Sequence, residues 1–230
     1  MKLTVLGKYG PYPKEGDHAS SCYLVQGGST SLVLDMGPGS LSRLMQAADL
    51  RKINGIFISH LHYDHTSDLL PFRYLLEDMN LKMKIYVRRE ESPWYDILFG
   101  HPDFEVINVS PSSPVTAGDF KLTFYEMKHT VPCLGVKVQQ EDKALFYTGD
   151  TLFNDNIYPA LEGTDLLLAD CSKPAGFTGP HMTVENAKEI NGNIGVRIIS
   201  THLSPGYDPD DEYKDFPGIE TAREMKTYEI

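Results

Sequence analysis

The chain has 230 residues, of which 41% are hydrophobic and 23% are charged, a composition that excludes disorder, collagen and coiled coil as the main architecture. Its mean hydropathy is −0.30, and no apolar run reaches the roughly 18 residues of a membrane span, so we expect no membrane insertion. The formal charge is −11, which argues against a surface that attracts nucleic acid throughout. Three widely spaced cysteines, and an N-terminal apolar run too short for a signal peptide, favour a cytoplasmic location.

Short β-rich segments, separated by turns that contain Gly and Pro, alternate with four helical segments along the chain. The predicted strands cover residues 3–7, 22–26, 31–35, 55–59, 84–87, 104–109, 120–127, 134–140, 144–147, 165–169 and 196–200. The predicted helices cover residues 41–49, with Ser40 as N-cap, 68–80, 92–99 and 183–190. This order predicts two packed sheets with helices on their outer faces. No change in composition marks a boundary, so we expect residues 1–230 to form one domain, with the acidic segment 208–215 solvated.

Four residues able to bind a metal lie within six positions, directly after the predicted buried strand 55–59: His60-Leu61-His62-Tyr63-Asp64-His65. His60 and His62 are two residues apart and cannot share a helix face, but in an irregular loop their imidazoles can converge on one ion. Asp64 and His65 can then serve a second ion. Imidazole and carboxylate together suit zinc, and manganese or iron would also be accepted.

One loop cannot complete two coordination shells, so further ligands are expected elsewhere. His129, Asp150 and His202 each follow a predicted strand, at the point where an apolar run ends. One edge of a sheet would gather such residues into a single cleft, as expected of a site built from loops on a rigid scaffold.

This ordered set of residues resembles the ligand pattern of the metallo-β-lactamase-fold hydrolases, and the resemblance covers nearly the whole chain. The segment Asp35-Met36-Gly37 also matches the Asp-x-Gly turn of that superfamily. The resemblance implies an α+β fold, the four-layer αβ/βα sandwich. It further implies two metal ions, whose ligands would be His60, His62 and His129 for one ion, Asp64, His65 and His202 for the other, and Asp150 as a bridge.

Two ions bridged by a carboxylate lie about 3.5–4 Å apart and can hold a hydroxide that is a strong nucleophile at neutral pH. Asp64, beside His65, could orient the attacking water as general base. Asp35 lies outside the ligand set. It is expected either to support the ligands through hydrogen bonds or to serve only as a turn residue.

The segment from His181 to Ala187 resembles an element of the ribonuclease Z-like branch of the superfamily. His181 precedes a predicted helix start, where it could contact a phosphate or protonate a leaving alcohol. This predicts a dinuclear metal-dependent phosphodiesterase with Asp64 and His181 as catalytic residues. Thioesterase, lactonase or β-lactamase chemistry on the same metals stays open, and in those cases His181 should be dispensable. A redox role is less well supported, because no cofactor fingerprint or flavodoxin-like extension is visible.

The chain also departs from the tRNA 3′-processing endonucleases of that branch. Only 20 residues separate His129 from Asp150, enough for a β-hairpin but not for the inserted tRNA-binding arm. The densest basic cluster is small, comprising Lys82, Lys84, Arg88 and Arg89. High affinity for a large RNA needs more basic contacts. We therefore expect a small phosphodiester or nucleotide substrate, with RNA as the alternative, and the resemblance suggests a homodimer.

Overall fold

The computed structural model of the protein describes residues 1–111 and 113–230. Within these residues the strands are β1 (Lys2–Gly7), β2 (Cys22–Gly27), β3 (Thr30–Leu34), β4 (Gly55–Ile58), β5 (Met83–Val87), β6 (Phe104–Asn108), β7 (Val115–Ala117), β8 (Phe120–Met127), β9 (Cys133–Gln140), β10 (Lys143–Tyr147), β11 (Leu166–Asp170), β12 (Arg197–Thr201), β13 (Ile219–Thr221) and β14 (Thr227–Glu229). The helices are α1 (Ser40–Ala47), α2 (Tyr63–Thr66), α3 (Leu69–Met79), α4 (Pro93–Phe99), α5 (Ile157–Leu161), α6 (Val184–Ile194) and α7 (Asp210–Tyr213), with a 3-10 helix at Leu50–Lys52.

The strands form two mixed sheets of seven. The first has the order β14-β1-β2-β3-β4-β5-β6, and β3 to β6 run parallel. The second has the order β13-β12-β11-β10-β9-β8-β7, and β10 to β13 run parallel. In both sheets the parallel strands bring their carboxyl ends to one edge, where open α/β sheets place their functional loops.

The two sheets pack face to face around a shared apolar core. Phe57 of β4 stacks on Phe124 of β8 with ring centroids 5.7 Å apart, and Tyr23 of β2 meets Tyr147 of β10 at 5.1 Å. Helices α1, α3 and α4 cover the outer face of the first sheet, and α5, α6 and α7 cover that of the second. The predicted four-layer αβ/βα sandwich is confirmed. No helix in the described part of the chain is long and apolar enough to cross a bilayer.

The start of α1 differs from its prediction. The helix begins at Ser40 itself, and Gly39 occupies the cap position with a φ of 82°. The exposed backbone N–H of Leu41 is instead satisfied by the Asp68 carboxylate, which accepts its hydrogen bond at 2.8 Å from the start of α3. A partner 27 residues away took the place of the local cap, and local sequence rules do not include such partners.

The prediction that the acidic segment 208–215 is solvated is wrong in part. It contains α7, whose Tyr213 is only 4% exposed and donates a hydrogen bond to the carbonyl of Cys171 at 2.7 Å. Its neighbour Asp211 is exposed. The acidic charges correctly predict an exposed outer face for this segment. They give no sign that one aromatic residue, Tyr213, is buried beneath that face. The strands β7, β13 and β14 were not predicted either, because three residues are too few to show an alternating pattern.

Candidate metal centre

The segment after β4 supplies four of the predicted site residues. His60 and His62 lie in an extended stretch, but Asp64 and His65 lie on the one-turn helix α2, where an irregular loop was predicted. The indole N–H of Trp94 donates to the carbonyl of Leu61 at 3.1 Å and ties the extended stretch to α4. The helical turn points Asp64 and His65 in a different direction from the two histidines before it.

The second sheet supplies the other three residues. His129 follows β8, Asp150 follows β10 and His202 follows β12, so their strands deliver them to the edge that faces α2. The structure brings all seven predicted ligands together in two sets that share Asp150. Ligand atoms lie within 4.8 Å of one another in each set, which are His60, His62, His129 and Asp150, and Asp64, His65, Asp150 and His202.

Two observations test whether these residues fit metal ions. The Nδ1 of His62 lies 3.0 Å from the Nε2 of His60 and 3.2 Å from the Nε2 of His129. A neutral imidazole has one N–H, so three ring nitrogens facing one another cannot all be satisfied by hydrogen bonds, whereas a cation accepts all three lone pairs. Among the described residues, the buried His65 Nε2 and Asp150 Oδ1 also make no hydrogen bond, and they lie 3.3 Å from each other as an ion pair. The donor set fits divalent cations.

Asp35 supports this cluster from behind. It is fully buried, and its Oδ2 accepts hydrogen bonds from His65 Nδ1 at 2.7 Å, from the Ser59 hydroxyl at 2.8 Å and from the Tyr147 hydroxyl at 2.6 Å. The expected hydrogen bond to a candidate ligand is therefore present. A carboxylate on the outer nitrogen of a ligating histidine fixes the ring and makes its inner nitrogen a better donor.

The pKa shifts of the cluster depend on which charges surround each residue, and its histidines shift in opposite directions. Burial and the neighbouring His65 hold the pKa of His60 well below its usual range. Burial alone would raise the pKa of Asp150, but His202 and His65 hold it well below the usual range. Burial likewise opposes the protonated form of His65, yet three surrounding carboxylates, led by Asp150, hold its pKa well above the usual range. A divalent ion would displace that proton on binding.

His202 sits in a strained backbone conformation with a φ of 60°, as Asp35 does with a φ of 58°. Its carbonyl accepts hydrogen bonds from the Ser172 hydroxyl at 2.8 Å and from Lys173 Nζ at 3.3 Å. A Cβ on Gly10 would overlap its imidazole, so only glycine fits at that position. Strain of this kind persists where surrounding contacts fix it, and it concentrates at functional sites.

His181 lies beside the cluster, in the segment between β11 and α6. Its Nδ1 is 2.7 Å from Asp170 Oδ2, and its ring stacks on that of His202 with centroids 4.8 Å apart. Burial lowers the pKa of His181, but the Asp170 carboxylate, together with Asp150, outweighs burial, so the net shift is upward. The ligand atoms of Asp150, Asp170, His181 and His202 also lie within 4.8 Å of one another.

Asp170 is the site residue that was not predicted. It ends β11 and is buried, and its Oδ2 also accepts a hydrogen bond from the backbone N–H of Thr151 at 3.0 Å. The sequence does contain a signal for this residue, because Asp170 ends an apolar run in the same way as Asp150 and His202 do.

A cavity of about 240 Å³ opens onto the cluster, and Asp64, His181 and His202 are among its lining residues. A second cavity of about 500 Å³ adjoins it and shares His129 and Thr130 with it. The site is therefore open to a small molecule on one side and continues into a larger groove.

A two-sheet sandwich with a histidine–carboxylate cluster at the edge where the sheets meet defines a class of metal-dependent hydrolases. The model of the beta-lactamase superfamily domain matches residues 30–202, and the chain belongs to this superfamily. A probable metallo-hydrolase of Bacillus subtilis, YhfI, is 30% identical over 213 residues, covering 88% of this chain and 87% of that protein. The crystal structure of YhfI matches with a TM-score of 0.92, over 99% of this chain and 98% of that chain, at 28% identity.

Two further relatives carry named activities. A ribonuclease Z of Methanopyrus kandleri is 28% identical over 144 residues, which are 60% of this chain and 50% of that protein. The crystal structure of a diphosphatase from the PhnP family matches with a TM-score of 0.78 over 100% of this chain and 97% of that chain. Because the two sequences are only 19% identical, this match shows a shared fold and nothing about activity. The protein is thus a metallo-hydrolase related to ribonuclease Z, and its family implies divalent metal ions.

Proposed function

We propose that the protein is a dinuclear metal-dependent phosphodiesterase that acts on a small phosphodiester or nucleotide. The observation that carries this proposal is the Asp170–His181 pair beside the ligand cluster, with Nδ1 and Oδ2 2.7 Å apart. A phosphodiester releases an alkoxide, which needs a proton, whereas a thioester releases a thiolate that is far more stable near neutral pH. A held proton donor next to the metal ligands suits the first reaction better.

The proposed ligands of one ion are His60, His62 and His129. Those of the other are Asp64, His65 and His202, and Asp150 would serve both. Zinc is the expected ion for this donor set. When bound, two such ions supply Lewis-acid stabilisation of charge on a phosphoryl group and activation of water.

Asp64 and His181 are assigned the two proton-handling roles. Burial favours the neutral form of Asp64, but His65 and His202 hold its pKa below its usual range, so the carboxylate is charged and can orient a water. The Nδ1 of His181 is engaged by Asp170, which leaves Nε2 for the cavity that His181 lines. The upward shift of the His181 pKa favours the protonated form, so Nε2–H can donate to the leaving oxygen.

A small substrate is favoured over a large RNA by what surrounds the site. The 20 residues between His129 and Asp150 form the β9–β10 hairpin, with no inserted arm. Two of the four residues in the basic cluster already have partners within the protein. Arg88 pairs with Glu126 at 2.6 Å, and Arg89 lies 5.5 Å from the centre of the Tyr95 ring. The tRNA 3′-processing endonuclease remains the second candidate, on the strength of the 28% identical ribonuclease Z.

The test is hydrolysis of bis(p-nitrophenyl) phosphate by metal-loaded protein, beside thioester, lactone, cyclic-nucleotide and pre-tRNA substrates. We expect His181→Ala and Asp170→Asn each to lower the rate on the cyclic nucleotide, whose leaving group is an alkoxide, about 100-fold while bound metal stays constant, since a general acid contributes about 10²–10⁴-fold. The p-nitrophenolate group leaves without needing a proton, so the rate on bis(p-nitrophenyl) phosphate should fall much less. The double variant should lose little more than either single one, because the two residues act as a unit.

His101→Ala is the matched control, because His101 also lies near a carboxylate, Asp103, at 3.7 Å, but in a loop outside the site. Turnover of only the thioester or lactone, with His181→Ala as active as the wild type, would contradict the proposal.

A further inference from the structure

Two exposed aromatic side chains near the candidate metal centre, Phe177 and Tyr63, have no part in the mechanism above. Phe177 is 40% exposed and Tyr63 is 51% exposed, although large aromatic residues are usually buried. Single exposed aromatic residues are common, but Tyr63 lines the cavity over the cluster, and Phe177 lies next to His181, which lines that cavity too. The residues around each ring indicate which part of a substrate that ring would contact.

Phe177 lies next to the proposed proton donor. Its ring centroid is 6.3 Å from that of His181, and the two ring planes are inclined by 37°. A hydrogen bond from the Phe177 backbone N–H to the carbonyl of Pro174, at 3.2 Å, closes the turn that presents the ring. A group attached to the oxygen that His181 protonates would therefore extend past Phe177.

Gly179 holds the Phe177 ring in this place. A Cβ on Gly179 would overlap the edge of the ring, so the aromatic group packs directly on the loop backbone. The φ of Gly179 lies outside the left-handed region, so the backbone does not itself require glycine here. A larger residue at this position would therefore displace the Phe177 ring, so Gly179→Ala changes the ring position without changing Phe177 itself.

Tyr63 adds an aromatic surface that lines the cavity itself. It is the first residue of α2, between His62 and Asp64, and all three residues line the cavity. One aromatic residue thus lines the cavity next to the ligand cluster, and another lies beside His181, one of the lining residues of that cavity. Aromatic side chains stack on nucleobases of any sequence, because every base has a π-face.

We infer that Phe177, together with Tyr63, forms a stacking surface for a planar base on the leaving group, so that the preferred substrates are diesters that release a nucleoside. This rests on the proposed phosphodiesterase function. In the reaction, water gives a proton to Asp64 and adds to phosphorus, and the bond from phosphorus to the leaving oxygen breaks. The electron pair stays on that oxygen, which takes the proton of His181. The products are a phosphate monoester and the nucleoside whose base lies on Phe177.

Two thymidine diesters isolate the leaving group. Thymidylyl-(3′→5′)-thymidine releases a nucleoside through its 5′ oxygen, and thymidine 3′-(ethyl phosphate) releases ethanol, when each is cleaved to thymidine 3′-monophosphate. Formation of that common product is the rate scored for both, so both leaving groups compared are primary alcohols. We expect the wild-type protein to prefer the dinucleotide about tenfold in kcat/KM, within the range of one base–aromatic stack. Phe177→Leu and Gly179→Ala should each remove that preference, lowering kcat/KM for the dinucleotide about tenfold more than for the ethyl ester.

Tyr74→Leu is the control, because Tyr74 is 63% exposed on α3 and does not line either cavity of the site. Equal losses on both diesters in Phe177→Leu, or no preference in the wild type, would overturn the inference. Hydrolysis of bis(p-nitrophenyl) phosphate on the same samples separates the two proposals. If that reference diester is cleaved without a nucleoside preference, only the stacking surface is wrong; if no diester is cleaved, both proposals are wrong.

Discussion

The two ligand groups around Asp150 differ in charge and in what holds them. The imidazole group consists of His60, His62 and His129. The carboxylate group consists of Asp64, His65 and His202. The first has three neutral nitrogen donors and two half-buried members, whereas the second is wholly buried and includes a carboxylate.

The outer nitrogens of the two groups also have different partners. In the imidazole group, His60 Nδ1 lies 3.0 Å from the Ser59 hydroxyl, and His129 Nδ1 lies 3.2 Å from the carbonyl of Pro180. In the carboxylate group, His65 Nδ1 lies 2.7 Å from the Asp35 carboxylate. A charged partner fixes and strengthens a ligating imidazole more than a neutral one does. We therefore expect the carboxylate group to bind its ion more tightly and to fill first.

Asp150→Asn should have the largest effect, because this residue belongs to both groups. We expect both metal equivalents to be lost at micromolar free zinc, and activity to fall by more than about 100-fold, since even outer partners of ligands are worth about 10–100-fold in affinity. Metal analysis after gel filtration, alongside the diesterase rate, measures this. Asp155→Asn, an exposed change five residues away, is the control. Retention of two metals by Asp150→Asn would show that Asp150 is not shared.

Asp35→Asn should weaken one group selectively. Asparagine tolerates the φ of 58° at this position, so the change removes charge without forcing the backbone to move. We expect the tighter of two phases in a chelator competition to weaken about 10–100-fold and the weaker phase to change little. Asp49→Asn, which alters an exposed carboxylate bonded to the Arg51 backbone N–H, should leave both phases intact. Equal weakening of both phases would contradict the difference between the groups.

Ser59→Ala should have the smallest effect and should touch both groups. The Ser59 hydroxyl donates to Asp35 at 2.8 Å and lies 3.0 Å from His60 Nδ1, so it links the two supports. We expect a loss of about 1 kcal/mol in the free energy of unfolding, as for one buried hydrogen bond, measured by urea denaturation. Both phases of the chelator competition should weaken by less than tenfold. A change confined to one phase would show that Ser59 serves a single group.

Much of this site could be predicted from the chain alone, for a physical reason. Metal ligands need particular side chains, and those side chains stand out where they end apolar strands, as His129, Asp150 and His202 do. Asp170 ends a strand in the same way, but a lone aspartate also suits a turn, and only its 2.7 Å contact with His181 separates the two interpretations. For the same reason, the sequence left two roles open for Asp35, support of the ligands or a turn, and the three hydrogen bonds to its Oδ2 decide for support.

The sequence by itself determined the layer order, the edge at which the site lies and the residue types that fill it, because hydrophobic periodicity and ligand chemistry are local properties. Only the tertiary structure decided that Asp170 lies against His181, and that Phe177 packs on Gly179 next to His181. It also placed Asp68 at the start of α1 and Tyr213 in the core. These are contacts between segments far apart in the chain or facing one another across a loop, and their distances depend on how the two sheets and their loops pack, which local pattern does not encode.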